Sequence, residues 1–172
     1  MTLEEIRNIT GKELTEIEIF AHGALCMAVS GKCYISLDNL NSSANRGACL
    51  QTCRRPYHVT DKDGGVELEI DNEYIMSPKD LKTIDFLDLI LKAGVRVLKI
   101  EGRGRSPEYV KTVTKCYREA ADAYFEGNYN EENKQRWNEM LKSVYNRGFW
   151  EGYYLGRKTG EWTERYGSQA TK

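Results

Sequence analysis

The chain has 172 residues, 40% of them apolar and 30% charged, which allows one hydrophobic core and suits a soluble globular domain. A net charge of −1 provides no overall basic field, so a nucleic-acid contact would need a local patch; no apolar run approaches the length of a membrane span. The opening Met1-Thr2-Leu3-Glu4-Glu5 lacks the basic start and apolar centre of a signal peptide, so a cytoplasmic location is expected.

Thr2-Leu3-Glu4-Glu5 reads as a capping box, and Leu3, Ile6 and Ile9 give one apolar face before Gly11 stops the helix. Glu16 to Ala21 alternates like a strand and delivers His22-Gly23 at its C-terminal end, where α/β folds keep their chemistry. From Gly23 to Tyr57 there is no long periodic element, and such a loop needs something to hold it. Val66 to Ile70, after the turn Asp63-Gly64-Gly65, is expected to pair with Tyr57-His58-Val59 as a β-hairpin, and Tyr74-Ile75-Met76 reads as a short buried strand. Ser77-Pro78 predicts a helix start, and a further helix carrying Phe86, Leu87, Leu89, Ile90 and Leu91 ends at Ala93-Gly94. Val95 to Ile100 is then a buried strand. Ser106-Pro107 caps a long helix with Tyr109, Val110, Val113, Tyr117, Ala120 and Tyr124 on one face, and Asn130 opens a last helix containing Trp137, Met140, Leu141 and Val144. Strands alternating with helices argue for an α/β fold with a parallel sheet or barrel, yet three convincing parallel strands are too few for an eight-stranded barrel.

Four of the five cysteines, Cys26, Cys33, Cys49 and Cys53, fall close together, with six, fifteen and three residues between them. A soft metal or cluster is the ligand that needs several sulfurs at one point, and disulfides are not expected in a reducing cytosol. The spacing matches neither a zinc ribbon nor a bacterial ferredoxin run, so it leaves the metal open. Cys116 sits on the apolar face of the long helix and reads as a core thiol. His22 is a candidate catalytic or pocket-lining group, with a structural histidine as the alternative. Lys99, Glu101 and Arg103 alternate at the end of a strand, so they are candidates to share one face of a site: Glu101 catalytic, Lys99 and Arg103 substrate-binding, with a structural ion pair as the alternative. Arg54, beside Cys53, is placed to tune a cluster or to grip an anion. No serine elbow, H-E-x-x-H helix or catalytic triad is visible.

Glu18-x-Phe20-x-x-Gly23-Ala24-Leu25-Cys26, continuing through Gly31-x-Cys33-x-Ile35-Ser36, resembles the signature of the collagenase-like peptidase family U thirty-two. Lys99-Ile100-Glu101-Gly102-Arg103 with Ser106-Pro107-Glu108-Tyr109-Val110, and Asn146-Arg147-Gly148-Phe149, look like two more of its recurrent stretches. The resemblance implies a partial (β/α) barrel-like domain with an inserted Cys-rich loop. Residues 1–157 would be the C-terminal half of that domain and 158–172 a tail toward a further one. It also implies a partner, either an N-terminal counterpart or a homologous subunit. The family label implies peptide hydrolysis. Better characterised relatives imply iron–sulfur proteins for oxygen-independent hydroxylation of tRNA wobble uridine, of a ribosomal RNA cytidine or of a ubiquinone precursor. On that reading Cys26, Cys33, Cys49 and Cys53 hold a 4Fe-4S cluster, prephenate is a co-substrate and tRNA or another RNA is the partner. Arg46, Arg54, Arg55, Arg103 and Arg105 would supply a phosphate-binding patch. A cluster-bearing subunit without its own activity is the remaining alternative.

Overall fold

The computed structural model describes residues 1–12, 15–29, 32–59, 74–157 and 160–163. The capping box forms as the sequence requires: the Thr2 hydroxyl accepts from the Glu5 amide at 3.3 Å, and the Glu5 carboxylate accepts from the Thr2 amide at 2.7 Å. Helix α1, Leu3–Thr10, ends at Gly11 and buries Ile6. Strand β1, Glu18–Gly23, then crosses the centre of a four-stranded sheet.

The order across the sheet is β3-β1-β2-β4, with β2 at Asp80–Lys82, β3 at Val97–Ile100 and β4 at Phe149–Trp150. Strands β1 and β3 run parallel, from Glu18 opposite Val97 to His22 opposite Ile100. β1 and β2 are antiparallel, with His22 opposite Lys82, and β2 and β4 are parallel. The sheet is therefore mixed, not parallel, and these four strands do not close a barrel among the described residues. β1 and β2 are joined through the Cys-rich segment rather than by a helical crossover of the kind that keeps neighbouring strands parallel.

Helices α3, Leu87–Lys92, α4, Pro107–Glu126, and α5, Glu131–Ser143, form with α1 the layer that covers one face of the sheet. Ser106 and Asn130 cap α4 and α5, their side chains accepting from the amides three residues on. Ile6, Ile84, Leu87, Ile90 and Leu141 are fully buried between helices and sheet, and each stabilises the fold by about 1.5–3 kcal/mol. The helices cover only one face, and at the β3 edge the other is open, which explains why β3 is not the buried strand its composition suggests. Leu98 and Ile100 turn partly inward while Val97 and Lys99 are exposed.

Two expectations fail between residues 74 and 82. Tyr74-Ile75-Met76 forms a turn, and Ser77-Pro78 starts no helix. The backbone groups a helix would use are engaged elsewhere. The Ser77 carbonyl accepts from Thr163 N at 2.8 Å, Lys79 N donates to Glu161 O at 2.9 Å and Asp80 N to Gly148 O at 2.9 Å. Pairing with distant segments thus overrides a sound local signal. Within the Cys-rich segment a short helix, α2, spans Tyr34–Leu40 and closes on Asn41 in the left-handed conformation, and single 3-10 turns cover Ala44–Arg46 and Thr52–Arg54. The second strand of the expected hairpin, Val66 to Ile70, lies outside the described residues.

Candidate functional site

Because β1 and β3 are parallel, their C-terminal ends emerge side by side, and the Glu101 amide donates to the His22 carbonyl at 2.8 Å. Just past these ends lies a cleft of about 590 Å³. The chain leaving β1 contributes Leu25 and Cys26, the Cys-rich segment contributes Cys49, Cys53 and Arg54, and the turn after β3 contributes Glu101, Arg103 and Arg105. The segment after α5 adds Tyr145 and Arg147. Seven of the residues singled out from sequence therefore meet in one place: Cys26, Cys49, Cys53, Arg54, Glu101, Arg103 and Arg105.

Arg54 is 6% exposed and fastens the cleft together. Its Nη1 donates to Ser77 Oγ at 3.0 Å and to the Pro78 carbonyl at 2.7 Å, and its Nη2 donates to the Leu25 carbonyl at 2.6 Å. One guanidinium thus joins the residue before Cys26, the residue after Cys53 and the approach to β2. At the rim, Glu101 Oε1 accepts from the Arg103 amide at 3.0 Å, and Arg103 Nη2 reaches the Gly47 carbonyl at 3.4 Å.

All five cysteines are free. The Cys53 thiol is pushed up by burial first, is pulled down by Arg54 and is raised further by Cys26, Cys49 and Cys33, so the other three sulfurs all act on Cys53. Cys33, which does not line the cleft, stands 3.3 Å from the Ser36 hydroxyl, and that contact holds its thiol below the ordinary range. Among the described residues no three His, Cys, Asp or Glu side chains converge tightly enough for a single metal ion. Three of the four thiols, Cys26, Cys49 and Cys53, line the cleft beside a cationic guanidinium, and thiolates are the donor type that iron–sulfur clusters take. Cys116 is fully buried, its Sγ is 3.9 Å from the Trp137 carbonyl, and desolvation pushes its pKa up to about 11.

His22 does not line the cleft. It is 1% exposed and enclosed by Tyr109, Tyr117 and Phe149 at ring-centroid distances of 6.1, 5.5 and 5.5 Å. The Tyr117 hydroxyl donates its one proton to the Ala21 carbonyl at 2.9 Å, so the 3.3 Å contact with His22 Nδ1 requires Nδ1–H to be the donor. His22 is thus packed in the core, apart from the cleft. Desolvation, followed by Lys82 and Arg105, lowers its pKa to about 3. The unfolded chain then binds a proton that the fold refuses between about pH 6.5 and pH 3. His22 should accordingly make stability fall with acidification across that window, by up to about 1.4 kcal/mol per pH unit. Denaturant melts of wild type and His22→Gln, taken at intervals from pH 7 to pH 4, should show the steeper loss in wild type only.

Lys99 is also elsewhere. It pairs with Glu18 at 3.1 Å on the uncovered sheet face, above the Phe20 ring at 5.1 Å. There it borders a separate aromatic cavity of about 380 Å³, lined by Phe20, Met27, Trp150, Tyr153 and Trp162, which meets the cleft at Leu25 and Cys26. Alternation would have kept Lys99 and Glu101 on one face, but the strand ends at Ile100 and Glu101 already belongs to the turn. Of two residues with little individual sequence signal, Arg147 completes the inner wall and Asp80 stands behind it, 3.5 Å from Arg147 Nη1. Asp80 is 1% exposed, and Arg147 is noticeable beforehand only as part of an Asn-Arg-Gly-Phe stretch.

The chain belongs to Peptidase family U32, whose model matches residues 1–164. It is 68% identical over 156 residues to a protein named Collagenase from Porphyromonas gingivalis, covering 91% of this chain and 38% of that protein. It is 38% identical over 172 residues to tRNA hydroxylation protein P1 of Bacillus subtilis, covering 98% of this chain and 40% of the relative. A 23S rRNA 5-hydroxycytidine synthase of Escherichia coli is 44% identical over 126 residues, 73% of this chain and 19% of its own length. The chain thus spans about two fifths or less of these relatives. No solved structure matches it. Among the described residues, no helix is long and apolar enough to cross a membrane.

Proposed function

We propose that this chain carries the reaction cleft of an RNA hydroxylation protein, and that its product is 5-hydroxyuridine at the tRNA wobble position. The observation that carries the reading is the meeting of Cys26, Cys49 and Cys53 with Glu101 and Arg103 in one cleft past the ends of two parallel strands. The relatives named for hydroxylation of tRNA and rRNA support the substrate class. Cys26, Cys33, Cys49 and Cys53 would hold a 4Fe-4S cluster, which when bound supplies electron transfer or an iron Lewis acid. Glu101 stands where it can accept a proton from a base presented to the cleft. The exposed Arg46, Arg55 and Arg103 suit RNA phosphates. Prephenate is proposed as hydroxyl donor on the family resemblance, and an N-terminal counterpart or homologous subunit as the partner.

A peptidase is the second reading, favoured by the relative named Collagenase. It needs a free thiolate beside a base, but His22 is enclosed by aromatic rings and committed to Tyr117. Nucleoside mass spectrometry of tRNA from cells lacking the gene should show 5-hydroxyuridine derivatives lost, restored by wild type and not by Glu101→Gln. Undiminished derivatives, with loss of hydroxycytidine from ribosomal RNA, would move the substrate. Gelatin cleavage by purified protein that disappears in Cys26→Ala would move the class.

A further inference from the structure

We infer that the aromatic cavity on the uncovered sheet face is a stacking subsite for one unpaired nucleobase of the RNA, the neighbour of the base presented to the cleft. This deepens the proposed function and rests on it for the identity of the polymer.

Strand β1 builds the floor of the site. Its alternation buries Ile19 and Ala21 under the helices and leaves Glu18 and Phe20 on the opposite face, and the parallel register sets Phe20 beside Lys99. Phe20 is 42% exposed and Tyr153 47%, and both line the cavity of about 380 Å³ whose walls also include Trp150 and Trp162. Two large rings left half open in one concavity differ from the scattered apolar residues of an ordinary surface. A π-face is what every base shares, and unpaired bases stack on aromatic side chains whatever their sequence. The volume lies near the lower end of ligand pockets, which suits one flat ring system rather than a segment of a partner protein.

Polar atoms decide between a base and an apolar occupant. Lys99 Nζ lies 3.1 Å from Glu18 Oε1 and 5.1 Å from the centre of the Phe20 ring, and the Lys99 and Glu18 side chains are both about half exposed in the cavity. An ammonium has three donors and a carboxylate two oxygens, so the pair still offers a donor beside an acceptor at the edge of the stacking surface. The hydrogen-bonding edge of a base carries the matching acceptor and donor. An apolar partner seated here would strip water from the same charges and return no hydrogen bond, which is costly. The cavity meets the cleft at Leu25 and Cys26, so consecutive nucleotides of one unpaired strand can occupy the two. A duplex cannot, because its bases are already stacked on one another.

Calorimetric titration of the full chain with single-stranded heptauridylate should show saturable binding. Phe20→Leu and Tyr153→Leu should each weaken it at least fivefold, and the loss should remain at raised salt, where phosphate contacts are screened. Lys99→Gln should weaken it as well, while Phe125→Leu, at a 74% exposed ring of α4 that does not line the cavity, should leave it unchanged. Any binding of a fully paired RNA duplex should be the same in Phe20→Leu as in wild type. Tyr153→Leu decides the matter if Phe20→Leu does not fold. No saturable heptauridylate binding in wild type, or undiminished affinity in Tyr153→Leu, would overturn the subsite. Self-association of the chain that Phe20→Leu abolishes and heptauridylate does not compete with would give the face to a second copy and overturn it too. The titration measures no hydroxylation, so the two readings fail separately. Heptauridylate held through Phe20 and Tyr153 by a protein whose deletion spares 5-hydroxyuridine removes the hydroxylation reading and keeps the subsite; the opposite pair of results does the reverse.

Discussion

Serine in place of Cys26, Cys33, Cys49 or Cys53 is expected to leave anaerobically purified protein colourless and without stoichiometric iron or sulfide, whereas Cys116→Ser keeps both. A hydroxyl is not ionised at neutral pH and is a hard donor, so each substitution removes one soft anionic ligand without disturbing a core. The four positions can bear this test. Cys26 and Cys49 are exposed and Cys33 and Cys53 half-buried, so none of the four replacements opens a cavity. Cys116 sits in the apolar core under Trp137, with its thiol held protonated. Absorption spectra with iron and sulfide counts decide the result, and stoichiometric zinc without iron in wild type would end the cluster proposal.

Arg54→Met should lower stability by about 2–4 kcal/mol, because three short hydrogen bonds to a buried cation disappear and the Leu25 and Pro78 carbonyls and Ser77 hydroxyl lose their donor. In a chain of this size that corresponds to a fall in Tm of about 5–15 °C. Arg54→Lys should recover little of it. An ammonium keeps the charge but cannot span three acceptors arranged for a planar fork. A melt of Arg54→Met within 2 °C of wild type would show that the cleft is held together by something else.

Four helices were legible in the sequence because each carries its own punctuation: the capping box at Thr2, Ser106-Pro107 before α4, Asn130 before α5 and Ala93-Gly94 after α3; α2 was not, since its N-cap Cys33 makes no side-chain capping bond. β1 was legible from its alternation. β2 and β4 were not, since strands of three and two residues offer almost no period and exist through pairing with distant segments. The same holds for the cleft. Cysteines near one another in sequence were expected to gather and three of the four line the cleft, and Glu101 and Arg103 were placed by the strand that precedes them. Lys99 belongs to that strand and turned to the opposite face, while His22 sits where β1 is covered by α4. Asp80 and Arg147 meet only through the parallel pairing of β2 with β4, a relation 67 residues apart that no local pattern records.

Gly23 shows how narrow the tolerance of this arrangement is. Its φ is +117°, and a Cβ there would stand 2.7 Å from the Glu101 carbonyl oxygen and 2.9 Å from Glu101 Cβ. The missing side chain is therefore a spacer of zero thickness between two strand ends, and it sets how near the carboxylate can come to the thiols. Drift at this position is closed to every other amino acid unless β3 retreats, and retreat would carry Glu101 with it. Selection acting on the placement of an acid would thus be recorded at a residue that has no functional group of its own.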